Sequence, residues 1–168
     1  MMRFWKKRLQ TGILTENPEL DRELATIRAE IKNHVHQKFA GSLAIRMVDS
    51  GSCNACEAEC HALSNPYYDL ERLGIYFVAS PRHADVMLLS GVVTLNMAPH
   101  VIDAYQQMAD PKWVIAIGDC PLGDAVFEKT FAIKGAKGIE IPISHHIPGC
   151  PPDPKTLMQG LLAFLQKL

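Results

Sequence analysis

Four cysteines carry the chemistry this sequence could do: Cys53 and Cys56 as a C-x-x-C pair, and Cys120 and Cys150 isolated far downstream. A fifth, Cys60, follows Cys56 by four residues and shares its face if that segment is helical. Thiolates bind soft metals and take part in redox reactions. Five thiols make a poor disulfide framework in a reducing compartment, and the count is odd. Four thiolates are the ligand set of a 4Fe-4S cluster. A lone C-x-x-C pair also occurs in zinc sites and in thioredoxin-like dithiols. Zinc ribbons pair two such knuckles, and a dithiol leaves Cys120 and Cys150 without a role, so each explains less of the pattern. Buried structural cysteines are the blandest alternative. The spacing alone leaves all of these open.

The elements around the cysteines decide whether they can meet. Short apolar runs ending in glycine, proline or polar turns read as buried strands at Leu43 to Val48, Ile75 to Val78, Val86 to Leu89, Trp113 to Ile117 and Ile139 to Ile143. Helical stretches alternate with them, roughly Ala55 to Ala62, Ala98 to Ala109 and Pro154 to Leu168. Strands alternating with helices imply right-handed crossovers and an α/β domain whose parallel sheet is covered on both faces. In such sheets ligands bind beyond the carboxyl ends of the strands. Cys53 and Cys56 follow the first run, Cys120 comes three residues after Ile117, and Cys150 leaves the last run. All four are therefore expected at one sheet edge. A helix start near Cys56 would favour anionic sulfur, and Pro151 and Pro152 would stiffen the loop presenting Cys150.

Upstream, Leu20, Leu24, Ile27 and Ile31 predict an amphipathic helix from Pro18 to about His36. Residues 1–16 read as an arm in which Arg3, Lys6, Lys7 and Arg8 surround Phe4 and Trp5 before a turn at Glu16-Asn17-Pro18. That pattern suits docking on a partner or a lipid headgroup surface, and a frayed terminus is the plain alternative. The expected division is an arm and helix over 1–40 and one α/β domain carrying the cysteines over 41–168. With 168 residues, 48% of them hydrophobic, one domain with a real core is the default. A net charge of −1 with interspersed signs argues against nucleic acid as a partner. No apolar run reaches the roughly 18 residues of a membrane span, and the start lacks the apolar core of an export signal, so a cytoplasmic protein is expected.

Other polar residues have simpler readings. Cys60 is a surplus to a four-ligand cluster and is expected as a small buried hydrophobe. His61, His100, His145 and His146 lack partners at ligand spacing and read as core or surface histidines. Arg82 and His83 either contact a partner or the surroundings of the cysteines, or cap a turn. Met97 and Met108 read as packing residues.

Four segments in order make the chain resemble one family: Gly51-Ser52-Cys53-Asn54-Ala55-Cys56-Glu57-Ala58-Glu59, Ser80-Pro81-Arg82-His83-Ala84-Asp85 before Val86-Met87-Leu88-Leu89, Gly91-Val92-Val93-Thr94, and Ile147-Pro148-Gly149-Cys150-Pro151-Pro152. It is the family of the small subunit of energy-converting and formate-hydrogenlyase-type nickel–iron hydrogenases and of the cluster-bearing subunit of complex I. The similarity runs from about residue 41 to 168. The resemblance implies a flavodoxin-like domain with one 4Fe-4S cluster on Cys53, Cys56, Cys120 and Cys150. It also implies a nickel–iron large subunit, a ferredoxin-like iron–sulfur subunit and membrane subunits as partners, with the chain peripheral on the inner face of the cell membrane.

In the complex I branch the first two ligands are adjacent, whereas Cys53-x-x-Cys56 is similar to the hydrogenase branch. That disfavours the alternative of a quinone-reductase subunit. A non-enzymatic zinc module remains, as does an FMN carrier, which would need serines and threonines where the cysteines stand. The resemblance places Glu57 and Glu59 against the large subunit, as candidate proton relays or partners of a cation; the plain reading is a solvated helix face. Relatives have a small, glycine-rich stretch after the third ligand. This chain has Gly118-Asp119-Cys120-Pro121-Leu122-Gly123-Asp124, whose carboxylates Asp119 and Asp124 would lower a cluster's potential. The expected role is electron transfer within an oxidoreductase complex, without independent turnover.

Overall fold

The computed structural model describes residues 2–12, 21–123, 126–127 and 130–168. The expected turn at Glu16-Asn17-Pro18, the helix start at Pro18 with Leu20, and Asp124 lie outside the described residues.

The arm is helical over α1 (Met2–Thr11). Helix α2 (Arg22–Phe39) begins where Asp21 accepts hydrogen bonds from the backbone N–H of Glu23 and Leu24, and it runs three residues past His36. Its buried residues Leu24, Ile27, Ile31 and Val35 recur every three or four positions, so one stripe faces inward.

Five strands follow, β1 (Leu43–Asp49), β2 (Ile75–Phe77), β3 (Val86–Ser90), β4 (Trp113–Ile117) and β5 (His145–Ile147), with α3 (Ala55–Ala62), α4 (Ala98–Gln107) and α5 (Pro154–Lys167) between or after them. All pair in parallel, in the order β2-β1-β3-β4-β5. That is the flavodoxin order, in which the direction of strand addition across the sheet reverses between β1 and β3. β3 lies mid-sheet and is buried at all five positions, which is why Val86 to Leu89 reads as unbroken apolar sequence. Two cores cover the sheet. Ile31, Leu43, Ile45, Leu88, Ile115 and Leu161 lie in the one shared with α2, α3 and α5, and Met87, Leu89, Val101, Val114 and Ile141 in the one under α4. Lys155 on α5 bridges to Asp21 at 3.0 Å and Glu23 at 2.7 Å, tying α5 to the start of α2.

One expected strand is corrected. Ile139 to Ile143 is not a strand: Ala136–Ile139 is a 3-10 turn, and the fifth strand is His145–Ile147. Ile139 and Ile141 are buried by packing under α4, and Pro142 has no N–H to give a sheet. The ladder resumes where Ser144 N donates to Val114 O at 2.8 Å. No helix among the described residues is long and apolar enough to cross a membrane.

Candidate metal centre

The loop after β1 is built as a tight turn. Asp49 Oδ1 accepts from Gly51 N and Ser52 N, both at 2.8 Å, and Ser52 Oγ accepts from Asn54 N at 3.0 Å, which turns the chain into α3. The loop after β3 packs directly on it. Gly91 has φ +84°, and a Cβ there would meet Gly51 C at 2.7 Å and Ser52 N at 2.8 Å, so only glycine allows the approach. Ser50, fully buried, ties the two strand ends together: its Oγ donates to Ser90 O and accepts from Val93 N.

The loops after β4 and β5 are clamped to each other. Asp119 N donates to Gly149 O at 3.0 Å, and Gly149 N donates to Asp119 Oδ1 at 2.9 Å. His146 Nε2 lies 3.0 Å from Gly118 O, holding the same loop from β5. Gly118, at φ +75°, passes so close that a Cβ would lie 2.8 Å from Cys56 Sγ and 3.2 Å from Gly149 O. The loops bearing Cys56, Cys120 and Cys150 thus touch at the carboxyl end of the sheet.

Burial and neighbouring charge raise two of these thiols. The Cys56 thiol, 8% exposed, is pushed up to about 12, first by burial, then by the charges of Glu57, Cys120, Cys53 and Cys150. Cys120 is pushed up by burial, Cys150, Cys53 and Asp119. The expected help from the start of α3 is therefore outweighed at Cys56, where burial and nearby like charge disfavour the thiolate. A cationic iron–sulfur core is the kind of group that relieves such crowding, and four thiols are its ligand set. Cys53 and Cys150 are exposed. Among the described residues no group of three or more His, Cys, Asp and Glu side chains is placed to hold a metal ion. In a cubane each thiolate binds a different iron, so its four ligands stand farther apart than those in the first shell of one ion.

Cys60 is 1% exposed, and its thiol is pushed up to about 12 by burial, then by Cys56, Glu57 and Glu59. It packs in the core on the α3 side. Glu57 departs from the solvated-face reading. It is 5% exposed, its Oε1 accepts from Ser90 Oγ, and its Oε2 has no hydrogen-bond partner among the described residues. Glu59 is half-buried.

Arg82 and His83 are exposed and belong to a turn, where Ser80 Oγ accepts from Arg82 N at 3.3 Å. His61 and His100 are exposed, and His145 is half-buried beside Phe164, with burial pushing its ring below the usual histidine range. Met108 is buried in the α4 core. The reading from sequence missed three contributions: Asp119 as a backbone acceptor, His146 as a loop anchor, and the Ser50–Ser90 pair. Only Asp119, standing next to a cysteine, left a visible signal.

The family model described as NADH ubiquinone oxidoreductase, 20 Kd subunit, matches residues 53–164. A probable membrane-bound hydrogenase subunit of Pyrococcus furiosus is 45% identical over 132 residues, covering 78% of this chain and 79% of that protein. Formate hydrogenlyase subunit 7 of Escherichia coli is 36% identical over 146 residues, covering 87% of this chain but 56% of that protein. Among solved structures, a chain of an archaeal membrane-bound sulfane sulfur reductase superposes with a TM-score of 0.66 at 31% identity, covering 82% of this chain and 74% of that one. A chain of an NAD+-reducing nickel–iron hydrogenase shares the fold, with a TM-score of 0.56 at 16% identity over 75% of this chain and 92% of that one.

Proposed function

This chain belongs to the NADH ubiquinone oxidoreductase, 20 Kd subunit, family, and from that membership we propose that it is the electron-transfer small subunit of a membrane-associated nickel–iron hydrogenase. In this reading Cys53, Cys56, Cys120 and Cys150 hold one 4Fe-4S cluster. The chain stands between a large subunit carrying a nickel–iron site and a ferredoxin-like iron–sulfur subunit, peripheral on the inner membrane face beside membrane subunits. When bound, the cluster supplies a one-electron carrier. What supports the reading is the convergence of four thiols from three loops at one sheet edge, where each buried thiol is burdened by the charge of the others.

The chain's own residues insulate, place and tune. Cys56 and Cys120 approach from the buried side and exclude water, while Cys53 and Cys150 lie on the face that meets redox partners. Asp119 and His146 fix the distance between the two downstream loops. Glu57 can hold a proton at Oε2, which has no hydrogen-bond partner among the described residues, and Glu59 is half-buried on the same helix. The division into an arm and helix over 1–40 and a cluster-bearing domain over 41–168 is part of this proposal. No turnover by the isolated chain is expected.

Anaerobic expression with iron and sulfide analysis, and electron paramagnetic resonance after reduction, tests it. The expected product is brown, with about four irons per chain. Cys150→Ala should abolish the signal and Cys60→Ala should leave it. Colourless protein with stoichiometric zinc, or an intact signal in Cys150→Ala, overturns the assignment.

A further inference from the structure

Helix α1 segregates charge in a way electron transfer does not use. Its ten residues include Arg3, Lys6, Lys7 and Arg8 and no acidic residue, in a chain whose net charge is −1. Arg3, Lys6, Lys7 and Gln10 line one face together, as spacing of three and four residues along a helix requires. Trp5 and Leu9, four apart, share another face and are 54% and 84% exposed. The Arg8 guanidinium lies over the Trp5 ring, 5.7 Å from its centre, so cation and aromatic stand side by side.

We propose that α1 is a headgroup-docking helix that lies in the plane of an anionic lipid surface. Trp5 and Leu9 turn into the boundary between headgroups and acyl chains, where an amphipathic ring beside an aliphatic side chain is stable. Arg3, Lys6, Lys7 and Arg8 pair with lipid phosphates. Ten residues rise about 15 Å, half the thickness of a bilayer's hydrocarbon core, so the helix lies on the surface and does not span it. Two apolar side chains and four cations give reversible binding, which other attachments of a complex would strengthen. The similarity to membrane-bound complexes fits this surface, and the inference stands whether or not the cysteines hold a cluster.

The test uses the full chain with two vesicle types, mixed phosphatidylglycerol–phosphatidylcholine and pure phosphatidylcholine. Sedimentation should show binding to the anionic vesicles alone, weakening as salt is raised, with a blue shift of emission that Trp5→Phe removes. Each basic residue near an anionic surface contributes about fivefold, so Lys6→Gln with Lys7→Gln should weaken partitioning about 30-fold. Circular dichroism of that variant should match the parent, because the substitutions lie outside both cores. Equal partitioning of parent and variant, or no binding to anionic vesicles at low salt, overturns the proposal. A chain that ignores vesicles yet needs these cations to assemble with partner subunits overturns it in favour of an acidic protein surface.

Discussion

Asp119 does two jobs that one substitution can separate. Its carboxylate accepts from Gly149 N, joining the Cys120 and Cys150 loops, and its charge raises the Cys120 thiol. Asp119→Asn keeps an acceptor oxygen at the same place and removes the charge. The cluster, if held as proposed, should still load, while its reduction potential rises by about tens of millivolts, since a nearby negative charge disfavours the added electron. Redox titration followed by paramagnetic resonance reads this, and an unchanged potential would mean the carboxylate acts only as a clamp. Glu57 makes the complementary point. A carboxylate buried beside Cys56 with one oxygen satisfied by Ser90 and the other without a partner among the described residues is costly unless something uses it. Nothing in the segment Cys56-Glu57-Ala58-Glu59 distinguishes Glu57 from its more exposed neighbour Glu59, because burial of an α3 position depends on what β3 puts opposite it.

At the scale of elements, the site depends on how closely strand-end loops approach. Gly118→Ala adds a methyl 2.8 Å from Cys56 Sγ in a left-handed backbone conformation that costs a non-glycine residue about 1–3 kcal/mol. Folding should survive that cost, but the sulfur must move. We expect native circular dichroism with a marked fall in bound iron, and full iron loading would show that the loop has slack. The same scale explains the misplaced fifth strand. Ile139, Ile141 and Ile143 alternate with polar residues or proline as a strand would, yet their pattern comes from packing under α4, and the sheet is joined by the less apolar His145–Ile147. Periodicity reports burial on one side, and it cannot tell a hydrogen-bonded ladder from an irregular segment lying on a core.

For the whole molecule, the four thiols come from three loops on β1, β4 and β5, so a bound cluster crosslinks strands across the sheet. If the cluster is held as proposed, removing its iron should leave crowded thiols and three loops without a common anchor. Because ligand binding to the folded state stabilises it, the iron-stripped chain should melt at least about 5 °C lower, at roughly 2–4 °C per kcal/mol for chains of this size. Equal melting temperatures for loaded and stripped protein would mean the cluster is peripheral to the fold. Much of this organisation is local enough to be read from the residues. Ala55–Ala62 and Trp113–Ile117 stand where their apolar periods end, the parallel α/β class follows from alternation, and Cys53, Cys56 and Cys120 trail the strands expected to carry them, whereas Cys150 follows His145–Ile147 and not the expected strand at Ile139 to Ile143. Those features depend on neighbours within a few positions, which the sequence records directly. Strand order, the place of β5, the burial of Glu57, the His146–Gly118 contact and the Asp119–Gly149 clamp depend on residues 28 to 33 positions apart or on whole elements packing together. No period or composition encodes such pairings, so only the folded chain decided them.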